Sequence, residues 1–538
     1  MLKFKILSGI VGIVIITTLA QCQQRDSTQN KKTDTTIVKK PVPQKPVKVN
    51  FNPEKITGLK YEWICEGKPV TEIYNENEFM REPYYETDSI EGVLCFRGNA
   101  FRNTSSFGYL KQSPSALKTI WEFGTGSSGR WGGGAGWTGQ PAIVKWNEKI
   151  KSIMNLKTQF KQDKNFTEVI YASLDGKIYF LDLATGKPSR PAIDIKNPIK
   201  GSVSVDPRGY PLLYCGQGVP QTGEIGFRIF SLIDGKEIYF IKGIDEFAYR
   251  KWGAFDSSPL INRFTDAMYL NGENGVFYYV KLNTQFDLAS KSITVNPKVY
   301  KYRYQAPKKG QVGTENSIAC YKNLVYFGDN NGFMQCIDLL TLKPVWAIDA
   351  TDDTDASILI QPENDVPYLY AGCEVDKQGG SGSTFLRKIN GLTGEIVWES
   401  PYKCSTVQGA HPVNGGLLAS PILSKNPKDS MIVFSPARYK NLNGGLMVAL
   451  HTRTGKELWR LEMPNYAWSS PVGVYDTQGH LYIVQCESQG NIFLIDGKSG
   501  KIISKMSLGN NIEASPAVFM DKIVVGIRGA KFYGIAIQ

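Results

Sequence analysis

Residues Leu446 to Trp459 read LMVALHTRTGKELW. An apolar run suited to a buried strand leads into Thr454-Gly455-Lys456, and a second strand ends on Trp459. The glycine supplies the positive φ that a tight hairpin asks for. The tryptophan brings a large apolar body to bury and an N–H that needs an acceptor. One hairpin cannot bury its own face, so the fold turns on whether the unit recurs.

It does recur. YFLDLATGK (Tyr179 to Lys187), IFSLIDGKEIYF (Ile229 to Phe240), QCIDLLTLKPVW (Gln335 to Trp346), KINGLTGEIVW (Lys388 to Trp398) and IFLIDGKSGKI (Ile492 to Ile502) share the frame. VFYYVKLNTQFDL (Val276 to Leu288) is a degenerate copy. Gly186 and Gly500 lie 314 positions and six intervals apart, a period of about 52, close to that of four-stranded propeller blades. A second element keeps the same phase. Ser258-Pro259-Leu260, Ser420-Pro421-Ile422, Ser470-Pro471-Val472 and Ser515-Pro516-Ala517 each open a strand, and looser copies begin at Gln140, Ser202, Ser317 and Ser357.

The paired elements resemble the quinoprotein-type (PQQ-like) β-propeller repeat, roughly A-x-D-x-x-T-G-K-x-x-W. Ala449, Thr454, Gly455, Lys456 and Trp459 match it, with His451 where Asp is usual. Cys336, Asp338, Thr341, Lys343 and Trp346 follow it with two departures. Phe96-Arg97-Gly98-Asn99 resembles the FRG-type sequence that precedes the first blade in such chains. The resemblance spans residues 93–538. It implies an all-β, eight-bladed propeller of four-stranded antiparallel blades, with Trp121, Trp346, Trp398 and Trp459 each docked against a neighbouring blade's turn. At the level of fold it is also similar to outer-membrane assembly propeller lipoproteins. The last stretch, EASPAVFMDKIVVGIRGAKFYGIAIQ, has room for three strands, and TIWEF (Thr119 to Phe123) is one strand too many. Pairing the two closes the ring and removes both open edges.

The start of the chain reads differently. Lys3 and Lys5 precede an apolar run from Ile6 to Ile16, of signal-peptide length and short for a membrane span. Leu19-Ala20-Gln21-Cys22 resembles a bacterial lipobox, which implies lipidation of Cys22 and, with Gln23 following, the outer membrane; ordinary cleavage is the alternative. Residues 22–50 are Lys-, Thr- and Pro-rich and read as a disordered tether. The expected organisation is a signal peptide over 1–21, a tether over 22–50, an N-terminal extension over 51–118 and the propeller over 119–538.

The formal charge of +12 is concentrated at that start. Two lysines in 1–21 and a net five positive charges in 22–50 leave +5 for 51–538. No basic-aromatic cluster is arranged for bases, so a nucleic-acid partner is not expected. The nine cysteines are irregularly spaced, and no C-x-x-C pair occurs among them. His411, His451 and His480 are scattered and lack zinc-ligand spacing.

In a propeller the first strand of each blade lines the axis. The residue two before each strand-start Ser or Gln then faces the channel mouth: Thr138, Lys200, Asp256, Glu315, Asp355, Leu418, Trp468 and Glu513. Asp256, Glu315 and Asp355 come from consecutive blades and suit weak binding of a hard cation such as Ca²⁺. Alternatively these groups line a hydrated channel and pair with Lys200 or water. Quinoprotein dehydrogenases of similar fold hold pyrroloquinoline quinone on a Trp floor beside Ca²⁺ bound by Glu, Asn and Asp, and Glu315, Asn316 and Asp355 match that set. The adjacent cysteines common in those enzymes are missing here. RWGGGAGWTGQP (Arg130 to Pro141) is either an anion nest or a loop placing Trp131 and Trp137 over the mouth. The expected function is a non-enzymatic scaffold lipoprotein of the bacterial outer membrane with protein partners and no obligatory cofactor. The alternative is a PQQ- and Ca²⁺-dependent dehydrogenase.

Overall fold

Each strand start, seven led by serine and one by Gln140, becomes the innermost strand of a blade, and the eight blades form a ring. The computed structural model describes residues 44–49, 53–82, 90–137, 139–307, 310, 312–409 and 413–538. Residues 44–538 form one compact unit. Lipidation at Cys22 and the tether up to residue 43 lie outside the described residues, as do Thr138 and His411. No helix among the described residues is long and apolar enough to cross a membrane.

The sixth blade shows how the repeat folds. Its strands are Ile422–Leu423, Met431–Phe434, Gly445–His451 and Glu457–Met463, paired antiparallel in that order. Gly455 takes φ +67 at the turn between the last two. A Cβ there would meet Trp398 of the fifth blade at 2.8 Å, so the glycine provides both the turn and the tryptophan's seat. Trp398 Nε1 donates to Thr452 O at 3.0 Å in that turn. The dock repeats elsewhere. Trp121 donates to Leu183 O at 2.8 Å, Trp346 to Gly391 O at 2.8 Å and Trp459 to Gly497 O at 3.0 Å. Gly186, Gly394 and Gly500 lie under the respective rings. Each of these four outer strands thus packs its indole on the next blade with the N–H satisfied.

The ring closes as expected. Lys531–Ile537 pairs antiparallel with Leu117–Gly124, Gly534 opposite Trp121, so the last blade draws strands from both ends of the repeat region. The degenerate copy in the third blade departs from the repeat. After Val276–Lys281 the chain makes a side hairpin, Gln285–Asp287 with Ser292–Thr294, before the outer strand Lys298–Gln305. That outer strand has no tryptophan. Tyrosines fasten it to the fourth blade instead, Tyr302 Oη donating to Gln335 Oε1 at 2.9 Å and Tyr304 Oη to Asp329 Oδ2 at 2.7 Å.

The N-terminal extension is built into the ring at three places. Lys60–Cys65 pairs along the outer edge of the third blade, opposite Lys298–Gln305. Glu91–Val93 pairs with the inner strand of the first blade, and Ser106–Phe107 with that of the eighth. Between the last two, residues 94–105 cross the axis. Leu94 O, Ala100 O, Phe101 O and Ser105 O accept from Val205, Cys320, Ile360 and Val518, on blades two, four, five and eight. Arg102 donates to Ile318 O and Ser258 O, each at 2.7 Å. Arg97 donates to Pro471 O at 2.5 Å and Pro421 O at 2.7 Å. Gln140 of the first blade donates to Cys95 O at 3.2 Å, so one short segment bonds to all eight blades.

Candidate functional site

Extended inner strands enter the axis side by side, so residues at the same repeat position form layers across the channel. The strand-start serines make one layer. The N–H of Ser258 donates to Ser317 Oγ at 2.8 Å, Ser317 to Ser357 Oγ at 2.8 Å and Ser357 to Ser420 Oγ at 3.0 Å. Ser420 continues to Ser470 Oγ at 3.0 Å and Ser470 to Ser515 Oγ at 3.1 Å, while Gln140 donates to Ser202 Oγ at 2.9 Å. Serine recurs because each hydroxyl accepts the preceding blade's amide. The axial segment with Arg97 and Arg102 bonds to the same layer and forms a floor.

Two residues earlier on each strand lies the mouth. Blades three to five supply carboxylates. Blades six and seven supply Leu418, buried, and Trp468, half-buried. Asp256 and Glu315, both singled out by the repeat register, do meet, but around Glu273 and Lys200. Lys200 Nζ lies 2.5 Å from Asp256 Oδ2, 3.6 Å from Glu273 Oε1 and 3.9 Å from Glu315 Oε2. Trp252 Nε1 donates to Glu273 Oε2 at 2.6 Å. Asp355 falls in a second group with Asp353 and Glu374, and in each of the two triads the carboxylate oxygens lie within 4.8 Å of one another. Asn316 turns away, its amide donating to Gly328 O at 2.9 Å and Thr354 O at 2.6 Å. Glu513 accepts from Arg528 Nη1 at 3.1 Å and from the N–H of Trp137 at 3.3 Å.

The glycine-rich loop lies at the mouth. The ring of Trp137 stands edge-on to Trp468 at 5.4 Å, with Lys200 Nζ 5.1 Å from its face. Arg528 Nη2 donates to Trp131 O at 3.2 Å, tying the loop to the eighth blade. Arg438 stacks on Tyr466 at 3.9 Å and reaches toward Trp468 at 5.8 Å. One half of the mouth is acidic and the other aromatic.

Burial and crowding keep the acids protonated further up the pH scale. Asp256 is pushed up to about 6 by burial, with Glu315 adding to the shift and Lys200 opposing it. Burial raises Glu273 to about 7, and burial with the charge of Glu273 raises Glu315 to about 7. Glu374 reaches about 8, again through burial first. Asp353 and Asp355 are raised well above the usual range by burial, then by Glu374 and Glu315 respectively. Burial pulls Lys200 down, but its three carboxylates outweigh that and hold it well above the ordinary lysine value.

Glu273, Asp353 and Glu374 were not among the expected ring residues. Their signal was present. Gln217, Glu273, Asp329, Glu374 and Glu487 recur in phase just after each second strand, mostly ahead of a turn glycine. The glycines and tryptophans that mark the repeat do not mark this polar position.

The eight described cysteines are buried free thiols.

The fold is an eight-bladed β-propeller. Residues 443–537 match the family model described as outer membrane protein assembly factor BamB. No curated protein matches the chain. Among solved structures, the quinohemoprotein alcohol dehydrogenase of Comamonas testosteroni is similar over 83% of this chain and 80% of its own, at 12% identity and a TM-score of 0.55. BamB of Moraxella catarrhalis is similar over 69% of this chain and 93% of its own, at 17% identity and a TM-score of 0.45. A europium-containing methanol dehydrogenase is similar over 83% and 98%, at 14% identity and a TM-score of 0.42. At these identities the likeness is one of fold.

Proposed function

We propose that this chain is a non-enzymatic propeller scaffold of the bacterial cell envelope, held at the outer membrane through a lipid on Cys22 and binding protein partners. The match of residues 443–537 to an assembly-factor family supports the envelope role. The observation that carries the non-enzymatic reading is the engagement of the mouth's cations. Lys200 is held by three carboxylates, Arg528 by Glu513, and Arg250 donates to Glu273 O at 3.1 Å. Arg438 is spent on Asn414 O and Leu442 O, at 2.9 and 2.5 Å. A polyanionic quinone placed among the acids would face both carboxylate triads with Lys200 and Arg528 already ion-paired, and crowding like charges in a buried site is costly. Asn316, the amide of the expected Glu-Asn-Asp set, already donates to two backbone carbonyls. These residues do not fit pyrroloquinoline quinone.

Affinity capture of the full chain from native membranes, followed by mass spectrometry, tests the scaffold. A recurrent outer-membrane barrel or secretion component is expected, together with no alcohol-dependent dye reduction after addition of quinone and Ca²⁺. Robust turnover that disappears in Glu315→Gln/Asp355→Asn would replace this reading with the dehydrogenase.

A further inference from the structure

Thr351-Asp352-Asp353-Thr354-Asp355 joins blades four and five and carries three aspartates. Asp352 is spent on the fold. Its carboxylate accepts the N–H of Asp376 at 3.0 Å, the N–H of Lys377 at 3.1 Å and the side-chain amide of Gln378 at 3.0 Å. Those bonds fold residues 376–378 back over the loop. The N–H of Glu374 donates to Asp353 O at 2.7 Å, which brings a third carboxylate to Asp353 and Asp355.

The resulting triad is short of donors. Glu374 is 0% exposed, and Asn414 Nδ2 covers its Oε2 at 2.8 Å. Among the described residues no N–H donor reaches Glu374 Oε1; the group facing Glu374 across the triad is the Asp355 carboxyl. Asp353 Oδ1 is likewise buried without a donor among the described residues. Lys377 lies 3.8 Å from the other Asp353 oxygen, at the rim, with half its side chain exposed. The neighbouring triad of Asp256, Glu273 and Glu315 already holds the Lys200 ammonium, 2.5 Å from Asp256.

We infer that Asp353, Asp355 and Glu374 form a binding site for a hard divalent cation of the Ca²⁺ class, while Lys200 takes the cation's place in the adjacent triad. Three carboxylates suit a hard, oxygen-seeking ion rather than zinc or copper. Ca²⁺ bonds oxygen at about 2.3–2.6 Å, so ligands on opposite sides stand about 5 Å apart, in keeping with oxygens within 4.8 Å of one another. A divalent ion offsets most of the triad's charge, and Lys377 faces the remainder from the rim. The site involves no quinone and holds whichever partner the ring binds.

Isothermal titration of CaCl₂ into chelator-treated full chain at pH 8 tests it, with circular dichroism confirming that each variant is folded. One Ca²⁺ site is expected in the wild type. Glu374→Gln and Asp353→Asn should each weaken it at least tenfold, and Asp256→Asn should leave it within about twofold. Absence of binding at millimolar Ca²⁺ would overturn the inference and leave a proton shared between carboxyls. Unchanged binding in both Glu374→Gln and Asp353→Asn would overturn it too. So would loss confined to Asp256→Asn, which would move the ion to the Lys200 pocket.

Discussion

Two layers of one channel, two residues apart on every inner strand, obey opposite rules. In the serine layer polar groups are matched, hydroxyl to amide around the ring and guanidinium to carbonyl across it. In the carboxylate layer acids crowd together: Asp256, Glu273 and Glu315 share Lys200, and among the described residues no hydrogen-bond donor reaches the buried Asp353 Oδ1 or Glu374 Oε1. The lower layer therefore contributes stability. The upper layer costs stability, and burial shifts its acids toward the protonated form. A fold retains such a layer at a binding site more readily than in a core.

The contrast predicts effects of opposite sign. The largest comes from opening the ring. Deleting residues 530–538 removes the strand that pairs with Leu117–Gly124 and frees two blade edges. An insoluble product, or one without a cooperative melt, is expected; an unchanged melting temperature would contradict the closure.

Next is the floor of the channel. Arg102→Met leaves the carbonyls of Ser258, Ile318 and Phe96 without this donor. Buried groups left unpaired cost about 1–3 kcal/mol each, so a loss of at least about 3 kcal/mol is expected in denaturant unfolding. A smaller effect follows from Ser357→Ala, which strips the acceptor from the N–H of Ser317 and should cost about 1–3 kcal/mol.

One layer up the sign reverses. In Ca²⁺-free buffer Glu374→Gln should leave the melting temperature unchanged or raise it, because it fixes a group that burial already favours in the neutral state. A drop as large as that of Ser357→Ala would erase the distinction between layers.

The same layer also sets a pH dependence. Asp256 and Glu273 sit at about 6 and about 7 in the fold, above their ordinary values of 3.8 and 4.5. The folded state thus binds more protons than the unfolded one between those limits. Stability present below the unfolded values is lost as pH rises through the folded ones, at about 1.4 kcal/mol per pKa unit. Melting curves in chelator should fall by a few degrees from pH 5 to pH 8. A flat profile would mean that Lys200 compensates the pair in full.

Legibility followed the same division. The regular parts of the molecule were written in the repeat. Trp398 over Gly455, the phase of the serine-led strands and the closing strand at Trp121 all announced themselves through periodic spacing. The role of the serine was not announced, because an amide-to-hydroxyl bond between blades has no sequence distance to mark it; Ser317 and Ser357 are 40 residues apart. The third blade broke the pattern where a side hairpin replaced the turn and tyrosines replaced the tryptophan.

The sequence by itself determined the eight-fold repeat, the inner-strand register, the docking tryptophans and the presence of Asp256, Glu315, Asp355, Trp468 and Glu513 at one end of the axis. Local hydrogen-bonding and packing requirements are the same in every blade, so they leave a periodic trace. Only the tertiary structure decided how the mouth is partitioned. It placed Lys200 among Asp256, Glu273 and Glu315, turned Asn316 into the backbone, gave Asp355 to Asp353 and Glu374, and carried residues 94–105 across the axis. Those outcomes depend on which long side chains from different blades share a few ångströms of low-dielectric space. A charge interacts with whatever lies near it in three dimensions, and no period in the chain records that.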